Sequence, residues 1–159
     1  MEGVRPAEAH DAERVEVLAR ELLGWIASCR GGSFLVGSPG RPPWELLGAR
    51  TFSDLLDDPS RRVLVGTLDG AVTGVAACHV GDPAPDGVRH GVLDACYVEP
   101  GARGLGLGQL LASTALAWLR SQDCHGVDGL ALPGDRAAKQ FFESAGLKAR
   151  LLTMHLDFE

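Results

Sequence analysis

Residues 97–111 read YVEPGARGLGLGQLL, with three glycines at alternate positions, Gly104, Gly106 and Gly108. An extended-looking run precedes them and a helical run follows. The first amides of a helix have no intrahelical acceptor. Glycines let a loop turn so that several such amides converge, and they let a ligand approach the backbone closely. The helix dipole adds partial positive charge at the same place. Such a loop can hold an anion, and a diphosphate matches its length. Arg103 at its start adds a charged donor. The bland alternative is a glycine turn that serves only close packing.

Two familiar diphosphate motifs fail here. A P-loop needs Gly-Lys-Ser/Thr at its close, and no Lys follows any of these glycines. A dinucleotide loop needs G-x-G-x-x-G. Counted from Gly104, the third glycine falls on Gln109; counted from Gly106, it falls on Leu111.

On the N-terminal side, "RRVLVGTLDGAVTGVAACHV" reads as strand, Asp69-Gly70 turn, strand, because Asp-Gly between apolar runs is a hairpin signal. "RHGVLDACYVEP" is a third strand that pairs with the second. Earlier still, Val15, Leu18, Leu22, Trp25, Ile26 and Cys29 recur at three and four, an amphipathic helix that Gly31-Gly32 stops. "GVRPA" is a short edge strand ended by Pro6. "SFLVGSPGRPP" is a loop with at most one short strand. "WELLGARTFSDLLDD" is a second helix, begun after Pro43 and ended at Asp58-Pro59. On the C-terminal side, "GLGQLLASTALAWLRSQ" is a helix with Leu107, Leu110, Leu111, Trp118 and Leu119 inward. "VDGLALP" is a strand. "DRAAKQFFESAG" is a helix capped by Asp135 and stopped by Gly146. "ARLLTMHLDF" is a final strand.

Composition narrows the function. The 159 residues suit one domain, residues 1–159, and an apolar content of 45% excludes a disordered chain. The net charge of −6, with no basic run, argues against a nucleic-acid partner. No apolar run approaches the length of about 20 residues that spans a membrane, and no signal-peptide pattern opens the sequence. Cys29, Cys78, Cys96 and Cys124 lack metal or redox spacing, so no metal site is expected, and reduced thiols in the cytoplasm are.

The pattern that does fit the glycine loop is R-x-x-G-x-G, as Arg103, Gly106 and Gly108, after a strand ending Val98-x-Pro100. With it, the sequence resembles the GNAT acyltransferase superfamily. A second segment matches as well: Asp135, Ala138, Phe142 and Gly146-Leu147 follow the family's N/D-x-x-A-x-x-x-aromatic helix and its close. The element order agrees along nearly the whole chain. The resemblance implies a mixed α/β (α+β) fold, with a mostly antiparallel central sheet, splayed parallel central strands and helices on both faces.

It further implies an enzyme that moves an acetyl group from acetyl-CoA to a primary amine by direct attack in a ternary complex. Cofactor contacts carry over to Cys96, Tyr97, Val98, Arg103, Gly104, Leu105, Gly106, Leu107, Gly108, Gln109, Asp135, Ala138 and Phe142. The pantetheine arm would lie between the "LDACYV" and "GLALP" strands, like an added strand. Asp94, six residues before Pro100, takes the position of a base or amine anchor. Glu99, His79 and His155 are the other candidates, each with a structural reading beside the catalytic one. Cys96 is read as an apolar filler, not a nucleophile. Relatives often carry Tyr where this chain has Phe142, which leaves the thiolate without its usual acid; Tyr97 or water could substitute. Trp25, Phe34 and Trp44 could line an acceptor pocket, although core packing is the simpler reading of Trp25. The acceptor is a small-molecule or peptide amine, and a homodimer recurs among members. A CoA-binding module without catalysis is the competing reading, and Phe142 is its best support.

Overall fold

The computed structural model describes residues 1–37 and 40–158. Strands β1 (Glu2–Pro6), β2 (Arg61–Leu68), β3 (Ala71–Val80), β4 (His90–Val98) and β5 (Gly126–Gly129) form one sheet in that spatial order. The first four pair antiparallel, while β4 and β5 run parallel. Asp69 and Gly70 turn the β2–β3 hairpin with φ of 48° and 86°. Both are positive, as a tight turn matched to the strand twist requires.

Helices cover both faces. Helix α1 (Ala12–Ser28), a short helix α2 (Gly32–Val36) and α3 (Phe52–Asp57) precede the hairpin. Val15 and Leu18 of α1, with Phe52 and Leu55 of α3, bury against Val63, Val65 and Val75. Helix α4 (Leu107–Ser121) lies on the other face, where Leu107, Leu111, Ala115 and Leu119 meet Leu64, Ala76, Cys78 and Leu93. Alternation along each strand sends successive side chains to these two clusters. Helix α5 (Arg136–Ser144) follows β5. Close approach of α4 depends on Gly74, where an added Cβ would stand 2.9 Å from Leu111 Cδ1. Leu111 is fully buried. Leu111→Ala should therefore lower unfolding stability by about 2–5 kcal/mol in a denaturant titration, and a loss below ~1 kcal/mol would contradict this packing.

Several expectations change. The expected helix from Trp44 to Asp58 is broken: a 3₁₀ turn spans Pro43–Leu47, and α3 starts afresh at Phe52. Gly48 enters the left-handed region (φ 78°), and Thr51 caps α3 in a reciprocal box with Asp54. The segment read as a loop after Gly32 forms α2, while Ser38 and Pro39 within it lie outside the described residues. Leu110, placed inward on α4, is 40% exposed. The final strand does not form: Ala149–Phe158 have no regular structure and are exposed. The alternation that suggested it is present, but a strand needs a neighbour to pair with, and β5 offers only four residues. For the same reason the parallel pair lies at the edge of the described sheet and not at its centre.

Candidate active site

The sheet opens where β4 and β5 part. Their register runs from His90↔Gly126 to Leu93↔Gly129 and stops. Asp94 follows at once. Between β3 and β4 the register also shifts, from Ala77↔Ala95 to Cys78↔Leu93, so Asp94 is the extra residue of a bulge. A bulge bends its strand and re-aims a side chain. Beyond it, Ala95–Val98 of β4 and Leu130–Leu132 after β5 face each other without pairing and line one cavity of about 390 Å³.

The glycine loop closes one end of that cavity. Gly104 and Gly106 hold φ of 81° and 88°, and at neither would a Cβ meet another atom within 4 Å. Glycine is demanded here by backbone conformation, and the space in front of the backbone is open. The first amide to enter the helix is that of Leu110, which donates to Gly106 O at 3.0 Å. The amides of Leu107, Gly108 and Gln109 have no intrahelical acceptor and mark the positive end of α4. These features fit a diphosphate. Arg103 folds back: its Nε donates to the Val98 carbonyl (2.8 Å) and its guanidinium lies 5.4 Å over the Tyr97 ring.

Most of the residues nominated from sequence come together here. Asp94, Cys96, Tyr97, Val98, Arg103, Gly104, Gly106, Leu107, Gly108, Gln109, Asp135, Ala138 and Phe142 all line the cavity. Leu105 does not; it is 48% exposed on the loop. Asp135 caps α5 by accepting from the Ala138 amide (3.1 Å), and its other oxygen accepts from Trp25 Nε1 (3.1 Å). Trp25 is half exposed and lines the cavity with Leu22, Ile26 and Leu35, so its place is at the gap and not in the core. Leu35 was missed, because nothing local marks which side of a short helix faces a distant strand. Trp44 packs instead with Phe52 in the α1-side core (centroids 6.0 Å apart), and Phe34 is 86% exposed.

The ionisable groups sort themselves by contact. Burial raises the Asp94 carboxyl above its ordinary value, opposed by the imidazole of His79 and the charge of Arg61. His79 Nδ1 lies 2.8 Å from Asp94 Oδ2. Burial pushes the Cys96 thiol to about 12, so it holds its proton at neutral pH, as a filler does and a nucleophile does not. Glu99 is ion-paired to Arg14. The Tyr97 hydroxyl donates to Glu21 (3.1 Å), and burial, then Glu21, raise it above the usual tyrosine value. His155 sits on the exposed C-terminal segment against Asp157 and does not reach the cavity.

Comparison with known proteins agrees with this arrangement. The model of the acetyltransferase (GNAT) family matches residues 20–147. The chain belongs to the GNAT acetyltransferase family. It is an acyltransferase, and its mixed, mostly antiparallel sheet with helices matches the fold of solved members. Solved structures of the same fold include a mutant of the BH1408 protein from Bacillus halodurans, at 18% identity and TM-score 0.82 over 99% of both chains. An acetyltransferase from Trypanosoma brucei matches at 21% identity and TM-score 0.67, over 99% of this chain and 100% of its own. An aminoglycoside N-acetyltransferase, AAC(6')-Iy, solved in complex with CoA, matches at 13% identity and TM-score 0.72, over 99% of both chains. No curated protein matches the sequence significantly. Among the described residues, no helix is long and apolar enough to cross a membrane, and no cluster of metal-ligating side chains occurs.

Proposed function

We propose that the chain is an acetyl-CoA-dependent N-acetyltransferase acting on a small primary amine, with Asp94 as its general base. One observation carries the reading: a single cavity joins the unpaired amides at the start of α4 to the bulged carboxylate of Asp94, through the split between β4 and β5. The amides of Leu107–Gln109 bind the diphosphate. The unpaired backbone of Ala95–Val98 pairs with the pantetheine amides, as a partner strand would. A freed N–H there polarises the thioester carbonyl. Asp94 takes the proton that the attacking ammonium must lose, the new C–N bond forms as the C–S bond breaks, and the CoA thiolate leaves. The buried Cys96 thiol plays no covalent part.

The amine enters from the side of α1 and α2, past Leu22, Trp25, Ile26 and Leu35. An aminoglycoside acetyltransferase of the same fold has been solved with a CoA–acetylneamine bisubstrate analogue, which makes a small-molecule amine the first acceptor class to try. Residues 1–159 form one such domain, working in the reducing cytoplasm, where its four free cysteines stay as thiols. Thiol release from acetyl-CoA over a panel of aminoglycosides, polyamines, arylalkylamines and amino acids tests the activity. Acetyl-CoA binding without release across the panel would favour the non-catalytic module.

Phe142 bears on that alternative. Its ring packs so closely on β5 that a Cβ at Gly129 would stand 2.7 Å from it. A thiol titrates at about 8.5, so its thiolate leaves tolerably without an acid. Phe142→Tyr should leave turnover unchanged or raise it when thiol release is followed. Loss of acetyl-CoA binding in Phe142→Tyr would show that the ring fills space the ligand needs left alone.

A further inference from the structure

Three strands carry a row of ionisable side chains across the α1 side of the sheet. Arg61 on β2 stands opposite His79 on β3 in the antiparallel register. His79 reaches across to Asp94, the bulged residue of β4, with 2.8 Å between Nδ1 and Oδ2. Asp94 Oδ1 has no partner among the described hydrogen bonds, whereas Oδ2 is taken. The Asp94 side chain is 13% exposed and that of His79 26%.

We infer that His79 is the positioning residue for Asp94: it binds Oδ2, turns Oδ1 toward the acceptor amine, and keeps the buried carboxyl ionised at the pH where the enzyme works. This rests on the reading of Asp94 as the base. Burial alone would hold a carboxyl protonated toward neutral pH, and a protonated carboxyl cannot accept the amine's proton. A hydrogen bond donated to the ionised form opposes that. The register makes the geometry: Leu93 packs on the α4 side and Val92 pairs with His79, so alternation sets Asp94 on the α1 face diagonal to His79, and the bulge that follows frees it from the regular ladder.

Other groups around Asp94 are accounted for. The charges that reach its carboxyl are those of His79 and Arg61, and the Arg61 Nε is also bonded to Asp58 (3.2 Å). Cys78, next to His79, is a neutral thiol, pushed to about 12 by burial and then by Asp94. From α1 and α2 only Leu22, Trp25, Ile26 and Leu35 face the cavity, none of them charged. Arg103 and Asp135 also line the cavity, each engaged as described above.

The sign of the effect follows. Removing the imidazole removes an influence that lowers the Asp94 pKa, so the pKa must rise. The test is carbon-13 NMR of the labelled aspartate carboxyls across a pH titration, in free wild type, His79→Ala and His79→Asn, paired with the pH profile of kcat/KM for the fastest amine of the panel. The Asp94 resonance, assigned by its absence in Asp94→Asn, should titrate about one unit higher in His79→Ala. The acid limb of kcat/KM should move up by the same amount, because that limb reports the free enzyme. His79→Asn retains an amide donor near the Nδ1 position and should restore part of the shift. Acetyl-CoA affinity should be unchanged in both variants. An Asp94 titration and acid limb that stay in place in His79→Ala would overturn the inference. If Asp94→Asn keeps full turnover, it is the base assignment that fails. If Asp94→Asn loses turnover while His79→Ala leaves the limb unmoved, the base stands and the role of His79 falls.

Discussion

Gly106→Val abolishes the rise in melting temperature that acetyl-CoA gives the wild-type protein. A ligand that binds only the folded state at 100 times its Kd stabilises it by about 2.7 kcal/mol. For a chain of this size that corresponds to roughly 5–10 °C, and the variant should lose all of it. Two causes act together. The left-handed φ of 88° at Gly106 disfavours a β-branched residue. Its side chain would also project into open space where no protein atom lies within 4 Å of the Cβ, the space assigned to the diphosphate. A control separates strain from blockage. Gly87 has a similar φ of 78° and equally open surroundings, but lies in the loop between β3 and β4. Gly87→Val should carry a comparable backbone penalty and keep the acetyl-CoA shift. Normal acetyl-CoA binding by Gly106→Val would refute the loop assignment.

Asp94→Asn keeps the size of the side chain and removes its charge. Acetyl-CoA binding should survive, because the diphosphate and pantetheine contacts lie further along the cavity. Turnover should fall by about 10²-fold or more if the carboxylate takes the amine's proton directly, the low end of general-base contributions. If it only anchors a cationic amine, the KM for the acceptor should rise and kcat should largely hold. The hydrogen bond from His79 also changes in this variant, so part of any loss belongs to the pair. Unchanged kinetic constants would make Asp94 a bystander. The base would then be sought at His79 or an ordered water, because Glu99 is engaged by Arg14 and His155 lies away from the cavity.

What the sequence made legible was local. The Asp-Gly turn, the periodicity of α1 and α4, the glycine loop and the Asp135 cap each depend on residues close in the chain, and each has its counterpart in the structure. The cavity residues could be nominated because two motifs, one on each wall of the gap, came with the family resemblance. What stayed hidden was set by distant contacts. The bulge at Asp94 is a register shift between two strands and leaves no mark in composition. The His79–Asp94 contact joins positions 15 apart and depends on the pairing of His79 with Val92 across two strands. Trp25 sits on the periodic stripe of α1, so periodicity assigned it to the core; its partner Asp135 is 110 positions away. The C-terminal segment shows the opposite failure. Its alternation is strong, yet pairing is decided by whether a neighbouring strand is long enough, which the segment itself does not encode.

A crystal structure with acetyl-CoA bound tests the central claim most directly. The account predicts the diphosphate on the amides of residues 104–109, the pantetheine between Ala95–Val98 and Leu130–Leu132, and the thioester beside the bulge at Asp94. Acetyl-CoA seated elsewhere, for example in the groove where Arg120, His125 and Lys148 surround β5, would contradict it.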